Sequence, residues 1–179
     1  MRITGGVLGG RKVAVPPGII RPAMDRMRES VFAVLGDLTG SSFLDLFSGS
    51  GIIALEAASR GASPVEVVEA DRLKRKVLLE NAALAPGGIS CRFMAAELYI
   101  RRARRSFSLV FCDPPFPYKY KGELLANIAA SPLLAGESRL LFHRPREEGL
   151  ECPATLILEE SRRYGRSVVD FFRKPLGKH

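Results

Sequence analysis

The chain has 179 residues, 46% of them hydrophobic, and its 27 Lys and Arg outweigh 19 Asp and Glu to give a formal charge of +8. That is long enough for one domain with a real core, too apolar for a disordered chain, and basic enough to favour a polyanionic partner, most simply nucleic acid. No apolar run nears the length of a membrane span and Met1 to Gly6 lacks an apolar signal core, so a cytoplasmic setting is expected.

Residues 1–20 differ in character from the remainder of the chain. Arg2-Ile3-Thr4 and Lys12-Val13-Ala14-Val15 are short extended runs around Gly5-Gly6 and Gly9-Gly10-Arg11, ending in Pro16-Pro17-Gly18. The pattern predicts a small basic β-hairpin arm. With Arg2, Arg11 and Lys12 and no acidic residue, the arm is a candidate contact for RNA phosphate. Residues 21–179 read as one further domain. Pro22 opens a helix with Met24, Met27, Val31, Val34 and Leu35 at helical spacing and Gly36 at its end. Its polar face carries Asp25, Arg26, Arg28 and Glu29, either solvated surface or a contact to substrate or cofactor.

From Ser42 onward, strand-like runs at 43–47, 65–69, 89–94, 109–112 and 140–142 alternate with helical stretches at 52–59, 72–84, 96–104 and 122–130. That alternation predicts an α/β fold with a mostly parallel sheet covered on both faces. Two last strands, 154–160 and 167–172, joined through Arg162-Arg163-Tyr164-Gly165-Arg166, predict an antiparallel hairpin at the edge. Cys91, Cys112 and Cys152 lack metal-ligand spacing, and with only His143 and His179 as imidazoles no metal site is expected.

Two stretches carry chemistry. Asp45-Leu46-Phe47-Ser48-Gly49-Ser50-Gly51 runs from a strand through a Ser/Gly turn into a helix, whose first N–H groups suit a polar or anionic ligand. Gly49-Ser50-Gly51-Ile52-Ile53-Ala54 formally matches a dinucleotide fingerprint, with Glu69 placed to hold a ribose. That leaves a nicotinamide enzyme open. The second stretch, Asp113-Pro114-Pro115-Phe116, favours another reading. It follows an apolar strand at its carboxyl end, where open α/β sheets place their ligands. An exocyclic amine is a poor nucleophile because its lone pair is delocalised into the ring. The Asp113 side chain and the Pro114 carbonyl could accept its N–H bonds and localise the pair. Pro114 and Pro115 would hold these acceptors in place beforehand, and Phe116 offers a face for an extruded base.

The set Asp45 to Gly51, Glu69 and Asp113 to Phe116 resembles the class I S-adenosylmethionine-dependent methyltransferases that act on exocyclic amines. The chain is similar, more narrowly, to the RsmD family, which methylates guanine N2 in bacterial 16S ribosomal RNA. That match rests on Gly9 to Lys12, Arg21-Pro22 with Asp25 to Glu29, Leu55-Glu56-Ala57 with Ser59 to Ala62, and Tyr164-Gly165 before Phe171-Phe172. The resemblance implies a Rossmann-like sheet of seven strands with one reversed near the C-terminus. It implies Asp45, Gly49 and Gly51 around the methionine part of S-adenosylmethionine, with Phe47 and Ser48 in the same loop, Glu69 on the ribose and Glu97 at the adenine amine. The catalytic set is Asp113, Pro114, Pro115 and Phe116. Candidate RNA contacts are Arg2, Arg11, Lys12, Arg21 and Arg28, joined by Tyr118 and Lys119 in the run Tyr118-Lys119-Tyr120-Lys121 after the catalytic turn. The basic group Arg101, Arg102, Arg104 and Arg105 reads as helix-end surface or RNA contact. His143 reads as a hydrogen-bonded structural residue. The implied partner is 16S ribosomal RNA or the assembling small subunit, the implied state a monomer. A DNA or other RNA adenine-N6 methyltransferase and a non-catalytic RNA-binding module stay open as alternatives.

Overall fold

The computed structural model describes residues 1–15 and 22–177. Pro16-Pro17-Gly18 and Arg21 therefore lie outside the described residues, as does His179. The order of elements is α1 (Pro22–Leu35), β1 (Phe43–Leu46), α2 (Ile52–Ser59), β2 (Val65–Val68), a 3₁₀ turn (Arg72–Lys74), α3 (Arg75–Ala82), β3 (Ser90–Arg92), α4 (Ala96–Arg102), β4 (Leu109–Cys112), α5 (Lys121–Ala130), β5 (Arg139–Pro145), β6 (Ile157–Tyr164) and β7 (Ser167–Arg173). The strands form one sheet in the order β3-β2-β1-β4-β5-β7-β6. Strands β1 to β5 pair in parallel, and β7 runs antiparallel to both of its neighbours. The resemblance implied this sheet, with its one reversed strand, correctly.

Side-chain alternation sorts the sheet into two faces. Phe43, Val65, Val67, Leu109, Phe111 and Leu141 pack against residues of α1, α2 and α3. Leu44, Leu46, Val68, Val110, Cys112, Leu140 and Phe142 pack against α4 and α5. All four residues of β1, β2 and β4 are buried, which is why these runs are apolar apart from Asp45 and Glu66.

Several differences from the sequence reading occur at the edges, and β5, read as 140–142, extends from Arg139 to Pro145 and takes in His143. The run 89–94 reads as an apolar strand, but only Ser90–Arg92 pair, with β2 alone, and their side chains are exposed or half-buried. The predicted basic connection at 162–166 is mostly strand: β6 continues to Tyr164, and the turn is left to Gly165 and Arg166. An edge strand with one face in water accommodates arginines that a central strand would reject. The stretch 72–84 divides into a 3₁₀ turn and a helix.

The amino-terminal segment pairs with itself, through an antiparallel bridge between Arg2 and Lys12 and the bond from the Ile3 N–H to the Arg11 carbonyl. It lies along α2 and shares its core, burying Ile3, Leu8 and Val13 with Met27 and Val31 of α1. Glu56, fully buried on α2, fastens it. Its carboxylate accepts from the Thr4 N–H at 2.8 Å, the Thr4 hydroxyl at 2.9 Å, Arg28 Nε at 2.9 Å and Arg60. One carboxylate thus joins the arm, α1 and α2. Glu56→Ala would strand the Arg28 guanidinium in the interior, and the expected loss is about 3–5 kcal/mol. Urea unfolding monitored by circular dichroism measures it, together with earlier proteolysis of the arm.

Candidate active site

The first functional turn leaves β1. Ser48 N–H continues the ladder to the Val68 carbonyl at 3.0 Å, and Gly51 caps α2 with a positive φ of 80°. The positive φ favours glycine at Gly51, where a Cβ would also displace the end of the Leu78 side chain, 2.7 Å away. Gly49 also has positive φ, but a Cβ there would meet nothing within 4 Å, so its backbone faces open space. Phe47 adopts φ 63°, a conformation costly for a bulky residue. Strain of that kind at the end of an interior strand is a mark of a site under functional constraint.

Carboxylates ring this turn. Asp45 is buried on the α2 side of β1; Ser48 Oγ donates to it at 2.7 Å, and the Ala54 N–H of α2 faces it. Burial pushes its pKa up to about 8, opposed by the Ser48 hydrogen bond and reinforced by the charges of Asp113 and Glu69. Glu69 follows β2 and braces the turn: Oε2 accepts the Gly49 N–H and Oε1 the Asp71 N–H, each at 2.8 Å. Glu97 lies exposed in the first turn of α4 and accepts the Tyr118 hydroxyl at 2.6 Å. Burial and the nearby charges of Asp113 and Glu69 disfavour ionisation of Asp45, and a ligand carrying an ammonium and a sulfonium would offset both. The residues fit S-adenosylmethionine.

The second turn leaves β4, the strand beside β1. The register Leu46↔Cys112 brings Asp113 next to the first turn, and its N–H reaches the Leu46 carbonyl at 3.3 Å. Asp113 Oδ1 meets His143 Nδ1 at 2.7 Å, and the Phe116 ring lies 5.6 Å from the His143 ring. Pro114 is buried while Pro115 is exposed. Tyr118 folds back over the first turn, its ring edge-on to Phe47 at 5.8 Å, and its hydroxyl pKa is raised by burial and by Glu97.

The candidate cofactor residues and the Asp113–Phe116 turn therefore meet at one end of the sheet. The candidate RNA contacts divide. Arg2, Arg11, Lys12 and Lys119 are exposed. Arg28 is not: its guanidinium is enclosed by Glu56, Asp25 and the Arg2 carbonyl, and it serves the interior in place of an RNA phosphate. Lys121, grouped with the aromatic-lysine run, is likewise buried. Its ammonium donates to the carbonyls of Phe116 at 2.7 Å and Tyr118 at 2.6 Å and pairs with Glu148 at 2.9 Å. Arg105 pairs with Glu66 of β2.

Two residues with structural consequences here escape the sequence reading. The Asn81 side chain on α3 accepts the Ala14 N–H at 3.0 Å and donates to the carbonyls of Ala14 and Ser50, each at 2.8 Å, joining the arm to the first turn. Lys121 has a faint signal, as the last lysine before an apolar helical run, but burial of an ammonium is visible only once its carbonyl partners are placed.

Asp45 is protonated in the ligand-free protein below pH of about 8, so its folded pKa exceeds its unfolded value. Its contribution to stability therefore falls as pH rises from about 4 through 8. A cationic ligand favours the carboxylate, so binding of S-adenosylmethionine at pH 7 should release a proton and tighten toward pH 8. Calorimetric titration in buffers of different ionisation enthalpy measures both, and Asp45→Asn should abolish the proton release. Lys121→Met should leave cofactor affinity in place and lower the rate of methyl transfer about 10- to 100-fold by loosening the Phe116–Tyr118 backbone. Calorimetry and single-turnover kinetics separate the two.

Known proteins resemble this chain in sequence and fold. The family model described as Conserved hypothetical protein 95 matches residues 1–173. Ribosomal RNA small subunit methyltransferase D of Escherichia coli K12 is 32% identical, over 97% of this chain and 90% of its own length. The enzyme of the same name from Haemophilus influenzae is 26% identical, over 90% of this chain and 88% of its own. Among solved structures, the Escherichia coli protein yhhF superposes with a TM-score of 0.87 at 30% identity, covering 99% of both chains. With matching sequence over nearly its whole length and the same fold, the chain belongs to the RsmD family of S-adenosylmethionine-dependent ribosomal RNA methyltransferases.

Proposed function

We propose that the protein methylates the N2 amine of a guanine in 16S ribosomal RNA, acting as a monomer in the cytoplasm on RNA of the assembling small subunit. The carrying observation is the adjacency of the two turns: strands β1 and β4 are paired neighbours, and the glycine turn and the Asp113–Phe116 turn leave their carboxyl ends side by side. The sheet order reverses between these strands, the place where open α/β sheets bind ligands.

Asp45, Glu69 and the backbone of Phe47 to Gly51 hold S-adenosylmethionine, with Glu97 toward the adenine. When bound, the cofactor supplies an electrophilic methyl group. Asp113 and the Pro114 carbonyl accept the N–H bonds of the amine, localise its lone pair and aim it. Their positions are held in advance by the prolines and by Lys121, so little reorganisation remains for the reaction. Phe116 stacks on the base. Asp113 or water receives the proton that the methylated amine gives up. Arg2, Arg11, Lys12 and Lys119 are placed to meet phosphate, and Arg21 is retained as a further candidate. The names of the curated relatives, which are ribosomal RNA small subunit methyltransferases, support the choice of RNA over other amines.

The test is methyl transfer from labelled S-adenosylmethionine to unmodified small-subunit particles, free 16S RNA and duplex DNA, with Asp113→Ala in parallel. Label in N2-methylguanine that disappears in the variant is the expected result. Label in DNA adenine would replace the substrate, and absence of label on every RNA despite cofactor binding would overturn the reading.

A further inference from the structure

We infer that His143 is the positioning residue of the methyl-transfer site, holding both Asp113 and Phe116 in the geometry that receives the base. The inference rests on the reading of Asp113 as the acceptor of the substrate amine.

The placement comes from the sheet. Strand β5 pairs with β4 in the register Phe111↔Leu141. Two residues further on, on the same face, Asp113 stands beside His143. Asp113 continues past the end of β4, whereas His143 is still inside β5, tied across to Val169 of β7. The histidine is thus part of the rigid sheet and the aspartate part of the turn. Its side chain is 4% exposed, against 21% for Asp113. A buried ring in a strand supports a more accessible carboxylate in a turn.

The hydrogen bond has a definite direction. An ionised carboxylate only accepts, so a neutral imidazole 2.7 Å away must carry its hydrogen on Nδ1. Nε2 then bears the lone pair, and it is buried with no hydrogen-bond partner among the described residues. Buried polar atoms are usually paired. A histidine kept here with one nitrogen unpartnered is poorly explained by packing, since an apolar residue would fill the place without an orphaned atom. What the ring provides in exchange is the Nδ1–H bond, which commits Asp113 Oδ1 and leaves Oδ2 for the amine. The same ring lies against Phe116, tilted 57° at a centroid distance of 5.6 Å. One side chain therefore fixes the acceptor and the stacking surface together, while the Lys121 ammonium holds the backbone of the same turn.

His143→Leu, which removes the donor and keeps an apolar body, should lower kcat about 100-fold through misplacement of the acceptor. The KM values for cofactor and RNA should stay within about twofold, the sign of an interaction used in the transition state. His143→Asn, whose amide can donate from near the Nδ1 position, should recover kcat to within about fivefold of the parent. The chain has two histidines, so ¹⁵N-histidine spectra are simple to assign. They should show the Nδ1–H tautomer at His143, lost in Asp113→Ala. A folded His143→Leu at parental kcat, an Asn variant as slow as Leu, or an Nε2–H tautomer in the parent would each overturn the inference. If the Leu variant does not fold, the Asn variant and the spectra decide alone. Asp113→Ala at the parental rate would instead overturn the underlying reading of Asp113, whatever the ring shows.

Discussion

The parallel ladder joining β2, β1, β4 and β5 governs the geometry of the whole reactive end of the molecule. Its hydrogen bonds hold adjacent strands about 4.8 Å apart and in fixed register. The segments leaving their carboxyl ends therefore form a row: Glu69, then the Phe47–Gly51 turn, then Asp113, with His143 beside it. These four groups come from separate parts of the chain. The ladder brings Glu69 onto Gly49 across 20 positions and His143 onto Asp113 across 30, and the chemistry is a consequence of that geometry.

Buried charge distinguishes scaffold from site. Glu56 is wholly enclosed, but Thr4, Arg28 and Arg60 satisfy it, and it joins three elements. Glu66 is enclosed with Arg92, Tyr99 and Arg105, and it ties β2 to β3 and α4. Asp45 is enclosed as deeply, yet its neighbours include Asp113 and Glu69, and among the described residues no cation pairs with it. A structural carboxylate is neutralised by its partners, while this one is suited to a positively charged ligand. Burial raises its pKa, and the charges of Asp113 and Glu69 raise it further.

The turns are stiffened from several directions. Glu69 and Asn81 bind the backbone of the first turn, and Asn81 ties it to the arm. Lys121 binds the carbonyls of the second. Tyr118 spans both, resting on Phe47 and donating to Glu97. Lys121 and Tyr118 lie in a stretch whose aromatic and lysine residues suggest a surface, yet Lys121 is buried and Tyr118 half-buried. Lys119 between them stays exposed and available to RNA.

The class of fold and the two reactive turns are legible in the chain before it folds. Buried parallel strands are mostly apolar, and turns at their ends are rich in Gly, Pro and small polar residues, so both features are written locally. Which charged side chains become interior is settled by folding alone. Arg28 and Lys121 look like any solvated cation in sequence, and burial of a charge depends on partners supplied by other segments: Glu56 for one, the Phe116 and Tyr118 carbonyls with Glu148 for the other. The pairing of Asp113 with His143 is of the same kind. It arises from strand register, which is set by the packing of whole faces, and no local pattern of residues encodes it.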